Sequence, residues 1–352
     1  MRMILLEMKK IWNRKILGAI ALVCVLFYFM FMSYYINYYK SGNHPQAEIV
    51  YYAEELARLY GTTITPEELS AYIAEERERL TSQAENAHSR FFLETLERME
   101  EVFDTKPMYI GWNDSFWGGL NEREQARYIE IVQNNEHHSV FSYWTHSNTE
   151  DYAVYFAVML MLAVLILVSP LPLSDRHANI HHLQYSSKLG RKIMCRQLAA
   201  ALLSAFMLTT LLILIFGGIY SVNSTYLFWN ANINSGLNTG NYSVFSMTYG
   251  QWVMAMIAMM YMLTLGISML AFVLSRFSRN MITLIMKLIP LFAATAYLCM
   301  AVFNYSFSML YNALYNLVRV FGTEAIVCGV VMLIGFTTAT FVVRREKRVD
   351  VI

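Results

Sequence analysis

The sequence predicts an all-α polytopic membrane protein with six transmembrane helices, cytoplasmic N- and C-termini, and a helical extracytoplasmic domain between spans one and two. Three observations predict it. Charged residues make up 15% of the chain and apolar ones 56%, whereas a soluble domain carries roughly 25% charge. Six runs approach the about 20 apolar residues that a membrane helix needs: Ile16–Asn37, Tyr152–Leu171, Leu198–Tyr220, Trp252–Leu274, Met281–Phe303 and Ala325–Val343. Lysine and arginine gather beside alternate span ends, which is how positive charge orients a membrane protein.

Residues 1–15, "MRMILLEMKKIWNRK", form the first element. Ile4, Met8, Ile11 and Trp12 share one helical face with Met1 and Leu5, while Arg2, Lys9, Lys10, Asn13 and Arg14 sit largely opposite. Such a helix lies in the bilayer interface with its cations beside anionic headgroups. Residues 16–37 follow as span one. No small-residue cleavage site comes after them, so the run reads as a span and not as a signal segment.

Residues 38–151 read as the extracytoplasmic domain. They hold 21 acids and 9 bases, a net of −12, and long domains cross a membrane largely regardless of charge. "TPEELSAYIAEERERL" begins a helix with Thr65 as N-cap, Pro66 at the first helical position and Glu68 closing a capping box. Asn121 and Glu124 repeat that logic. Between them Phe92, Leu96, Met99 and Phe103 recur at helical spacing.

Residues 152–352 supply spans two to six. The basic clusters at the N-terminus, at 174–196, at 276–279 and at 344–348 all fall on one side of a six-span chain. That side is expected to be the cytoplasm. The opposite loop, 221–250, has no charge, and the outer hairpin at 304–323 has only Arg319. Gly217, Gly218, Gly266, Gly329 and Gly335 mark places where helices can approach closely. Lys287 is near enough to the cytoplasmic face to snorkel.

The same residues exclude several chemistries. The apolar runs hold no Asp, Glu or His, and Glu324 stands at the outer end of the sixth. Catalytic motifs such as HExxH and GxSxG are absent, and so is a Walker A sequence. Cys24, Cys195, Cys299 and Cys328 form no CxxC pair and read as small buried hydrophobes. No metal site, catalytic residue or bound cofactor is expected on this chain, and no nucleic-acid partner. ATP and Mg belong on a partner subunit if the chain does ATP-driven work.

Between spans two and three lies "SDRHANIHHLQYSSKLGRK", residues 174–192. It can form three to four helical turns with Ile180 and Leu183 on one side, ended by Gly190. An amphipathic helix of this kind can lie in a partner's groove. With its basic flank it resembles the cytoplasmic loop of the permease subunits of type-2 ABC exporters, the ABC-2 permease family. Asp175 stands where that family often has an acidic residue. Tyr185, Ser186, Ser187, Lys188, Gly190 and Arg191 form the "YSSKxGR"-like phrase that leads to Arg196 and span three.

The resemblance implies an elbow helix at residues 1–15 and a coupling helix within 174–192 that seats on a separate P-loop ATPase. Asp175, Arg176, Ile180, Leu183 and the phrase residues would form that interface. A second permease copy or a paralogue would complete the assembly in the lipid bilayer of a cell, by analogy the bacterial cytoplasmic membrane. Met-rich, aromatic spans and an acidic outer domain point to a cationic or amphipathic peptide as cargo, with lipid, glycan or ion cargo left open. The alternative is a receptor or signalling scaffold whose outer domain senses a ligand, without transport.

Overall fold

The computed structural model describes residues 2–37, 39, 45–82, 121–177, 193–238 and 242–346. Among them the chain is all-helical, and strand-like pairing is limited to isolated bridges such as Thr63–Ser139 and Ser243–Ser308. Six of the described helices are long and apolar enough to cross a membrane.

The chain starts with α1 (Arg2–Ile11) and α2 (Arg14–Phe27). Asn13 separates them. Its extended backbone ends one helix, and its side chain accepts from the Lys15 amide to begin the next, the usual work of an N-cap. The expected uninterrupted first span is interrupted. Residues Tyr28–Met32 form a π turn, closed by the Ser33 amide donating to the Tyr28 carbonyl at 2.8 Å, and one α turn follows at Tyr34–Asn37.

The segment before span two contributes α3 (Pro45–Leu59), α4 (Pro66–Ser82) and α5 (Glu122–Gln133). Both expected capping boxes form. Thr65 and Glu68 exchange backbone-to-side-chain bonds, as do Asn121 and Glu124. Leu56, Leu69, Ile73, Tyr128 and Ile131 build the core of this region. The periodic stretch through Phe92 and Phe103 lies outside the described residues.

Then come α6 (Tyr143–Val168), α7 (Pro170–His177), α8 (Ile193–Tyr220), α9 (Tyr249–Arg276), α10 (Met281–Phe303), α11 (Ala313–Val318) and α12 (Thr323–Glu346). Helix α6 begins nine residues before the expected Tyr152, because Ser142 caps it by accepting from the Thr145 amide. His146, Glu150 and Asp151 therefore belong to the helix of span two, which corrects the expectation that the spans carry no such groups.

Span two is the axis of the bundle. Within the most apolar stretch of each span, 78% of the residues are buried in span two but only 17% in spans one and five. Helix α6 packs against α2, α8, α9 and α10, while α9 and α12 make the most extensive helix contact. Two glycines explain how close that contact is. A Cβ on Gly335 would stand 2.5 Å from the Gly266 carbonyl oxygen, and one on Gly266 would meet the Met332 backbone at 3.0 Å. Small residues permit this backbone approach where hydrocarbon gives no other drive to association. Gly217, Gly218 and Gly329 have no such neighbour within 4 Å, so close approach does not account for them.

The bundle has two distinct ends. One carries α1, α7, the start of α8 and the paired Arg276 and Glu346 (3.0 Å). The other carries α3–α5, the 221–248 connection and the 304–323 segment. The described part of the charge-free connection packs into the bundle: Asn223, Asn234, Ser235 and Asn238 are buried.

Candidate functional site

At the end bearing the N-terminus, α1 lies against α8 and touches α7. Ile11 and Met8 are buried in that contact, Ile4 packs at its edge, and the Trp12 indole N–H donates to Ser204 Oγ at 3.1 Å. The rest of the helix departs from the simple stripe. Leu5 and Leu6 are exposed, whereas Glu7 is 5% exposed and faces the bundle. Its carboxylate pairs with Lys10 at 3.0 Å and accepts from Gln197 Nε2 at 3.4 Å. Periodicity alone missed this because a buried acid with a cation one turn on looks the same in sequence as an exposed pair.

Asp175 and Arg176 fall on α7. Ile180, Leu183, Tyr185, Ser186, Ser187, Lys188, Gly190 and Arg191 lie outside the described residues. The helices on both sides of that segment are described, and both meet α1. Lys287 bends back so that Nζ donates to the Phe277 carbonyl at the end of α9, 2.9 Å away. Lysines near a helix C-terminus can satisfy its last carbonyls in this way.

The opposite end is built on carboxylates. Glu124, fully buried, accepts from the Asn121 amide (2.7 Å), the Tyr315 hydroxyl (2.6 Å) and Arg319 Nη1 (3.0 Å). It joins α5 to α11. Glu136 and Arg127 pair at 2.7 Å, and Asn234 donates a further 2.7 Å bond to the same carboxylate. Burial would raise the Glu136 carboxyl, but Arg127 and Asn234 outweigh it and hold it below the ordinary range. Burial, helped by the neighbouring His138, pushes His137 down to about 4, so it is neutral at physiological pH.

A second carboxylate pair grips one turn. Tyr305 and Phe307 adopt left-handed backbone conformations. The Phe307 amide donates to Glu324 Oε1 at 3.0 Å, and the Tyr305–Ser306 backbone donates to Glu150. Ser306 Oγ also accepts from the Trp252 indole at 3.0 Å. Successive amides turned to one side make a concave anion cradle, here filled by the chain's own acids. Helices α6, α9, α10 and α12 are thereby tied at one turn. His146 joins the cluster, 3.6 Å from Glu150 and hydrogen-bonded to Asn238. Among the described residues no three His, Cys, Asp or Glu side chains are placed to hold a metal ion.

None of these roles for Glu124, Glu136, Glu150 or Glu324 was read from the sequence. The capping box at Asn121 singled out Glu124, but only for its bond within α5.

Beside this cluster, in the same half of the bundle, is a cavity of about 220 Å³ between α6, α8 and α9. Tyr152, Phe156, Ile213, Gly217, Val253 and Met256 contribute to its walls. The chain matches no protein-family model, no curated protein and no solved structure.

Proposed function

We propose that the chain is the transmembrane permease subunit of an ATP-driven type-2 ABC exporter, powered by a separate P-loop ATPase that docks on residues 174–192. One observation carries the reading. The helix before span one breaks at Asn13 and packs on α7, which runs into the 174–192 segment, and on α8, which follows it. A push on that segment would reach the first three spans together.

The lysines and arginines support an orientation with this end in the cytoplasm, both termini inside and residues 38–151 outside. The apolar side chains that the Tyr28–Met32 turn and α10 leave exposed, among them Phe29, Met30, Ile289 and Tyr297, offer a surface for lipid or for a second permease copy or paralogue. Cargo would be a peptide or another amphipathic molecule, and the cell membrane, by resemblance the bacterial cytoplasmic membrane, its place of work.

The test is affinity purification of the tagged full chain from its native membrane in mild detergent. A stoichiometric partner with a Walker A sequence is expected. Replacing Ile180→Asp and Leu183→Asp together should release that partner while membrane insertion is retained. Survival of the complex would refute docking at those residues. Purification without any P-loop ATPase would favour the receptor reading.

A further inference from the structure

The cavity between α6, α8 and α9 has features that the permease reading does not require. It is elongated along the helices. Its lining runs along α9 from Tyr249 to Met260 and along α8 from Ile213 to Tyr220, about 16 Å and 10 Å at 1.5 Å per residue. Its volume of about 220 Å³ is below the ~300–1,000 Å³ of drug-sized pockets. A slot of this shape suits a narrow chain better than a fused ring system.

Its walls present carbon. The polar groups at its head are engaged with one another: Thr149 Oγ1 lies 2.9 Å from the Tyr220 hydroxyl and 3.2 Å from the Tyr249 hydroxyl, and it donates to the Thr145 carbonyl at 2.7 Å. No lining side chain is charged near neutral pH.

The mouth opens sideways. Gly217 is exposed there, and a Cβ on it would touch nothing within 4 Å. One turn before it Leu214 is an exposed apolar side chain, and Tyr226 of the lining is exposed as well, a surface that belongs against hydrocarbon. Trp229 closes the upper rim. Its ring lies so flat on Gly250 that a Cβ there would come within 2.5 Å of the indole, and the Gly250 amide donates to the Trp229 carbonyl at 2.9 Å.

We propose that this slot binds one acyl chain of a phospholipid without net charge, entering sideways from the surrounding bilayer. The headgroup stays at the Tyr226–Trp229 rim, where none of the described lining side chains is charged near neutral pH to select an acidic or basic head. This inference does not rest on ATP-driven transport, only on the six helices lying in a membrane.

The test uses the full chain in nanodiscs of phosphatidylcholine that carries a photoactivatable diazirine along one acyl chain. After illumination, adducts are mapped by peptide mass spectrometry. Enrichment on Phe156, Ile213 and Met256 is expected over the exposed face of α10. Gly217→Phe fills the mouth at a position with open space. Losing at least two methylene contacts there lowers slot labelling about tenfold while α10 labelling holds. Phe156→Trp, which fills the slot from the opposite wall, gives the same loss and guards against a misfolded first variant. Equal labelling of slot and α10, or slot labelling unchanged in both folded variants, overturns the site. A diazirine fatty acid is the second arm. Slot labelling by the free acid alone, with none from phosphatidylcholine, overturns the assignment to phospholipid.

Discussion

Replacing Gly335 by alanine gives the most direct test of how α9 and α12 are held. The new methyl carbon would lie 2.5 Å from the Gly266 oxygen, whereas weak C–H···O contacts settle at about 3.3–3.6 Å. The helices must part by roughly 0.8 Å to reach the lower of those values. A gap of about 0.5–1 Å already forfeits a quarter to a half of each dispersion contact, and overpacking of this kind costs about 1–3 kcal/mol. Alanine also gains roughly 0.5–1 kcal/mol of helix propensity over glycine. Gly329→Ala in the same helix isolates that gain, because nothing lies within 4 Å of its Cβ. Thermal unfolding of the detergent-solubilised chain, followed by size-exclusion fluorescence, should rank Gly329→Ala at or above wild type. Gly335→Ala should melt lowest, with Gly266→Ala, whose Cβ has 3.0 Å of room, in between. Equal melting of Gly335→Ala and Gly329→Ala would refute the glycine contact.

Two further outcomes follow from the carboxylate end. Acidification should destabilise it from about pH 6.5 downward, the ordinary histidine value. Neutral His137 contributes stability that is present above that value and lost as pH falls toward about 4, and Glu136, held below its ordinary range, adds loss at still lower pH. Amide exchange in α5 measured at pH 7 and pH 4.5 checks this, and unchanged protection would count against it. Glu124→Gln keeps the shape but weakens the bonds from Tyr315 and the Asn121 amide. Bonds to a charged acceptor are worth about 1.5–3 kcal/mol, and the half-exposed Arg319 adds little. Faster exchange confined to α5 and α11 is the expected result; no change there would refute the clasp.

The six spans were legible because twenty-residue apolar runs have few other uses, and the caps at Thr65 and Asn121 because their bonds are local. What stayed hidden was set by distant residues. Tyr152 looked like the start of span two because Glu150 and Asp151 break the apolar run, yet the helix is capped at Ser142 and Glu150 finds partners in the Tyr305–Ser306 backbone. Gly335 and Gly217 look alike in sequence; one touches another backbone and the other leaves an opening. Glu7 was assigned by its charge to no face, and Gln197, 190 residues later, is what makes its burial tolerable. The π turn at Tyr28–Met32 carries no Gly or Pro to announce it. The residues expected to form the coupling interface, from Ile180 to Arg191, are not among those described, so the sequence remains the sole basis for their role.

The turn at Tyr305–Phe307 has a mechanical consequence. It fastens α6, α9, α10 and α12 at one end, while at the other end the Arg276–Glu346 pair joins α9 to α12 and α7 touches α6 and α9. The turn is then a fulcrum. Helix α6 runs from its fastening at Glu150 to Val168, an arm of about 27 Å, so a tilt of about 5° carries its far tip roughly 2 Å while the fastened end barely moves. Force applied beside α7 would meet the long side of that lever, and whatever opens at the fastened end would do so by a far smaller stroke.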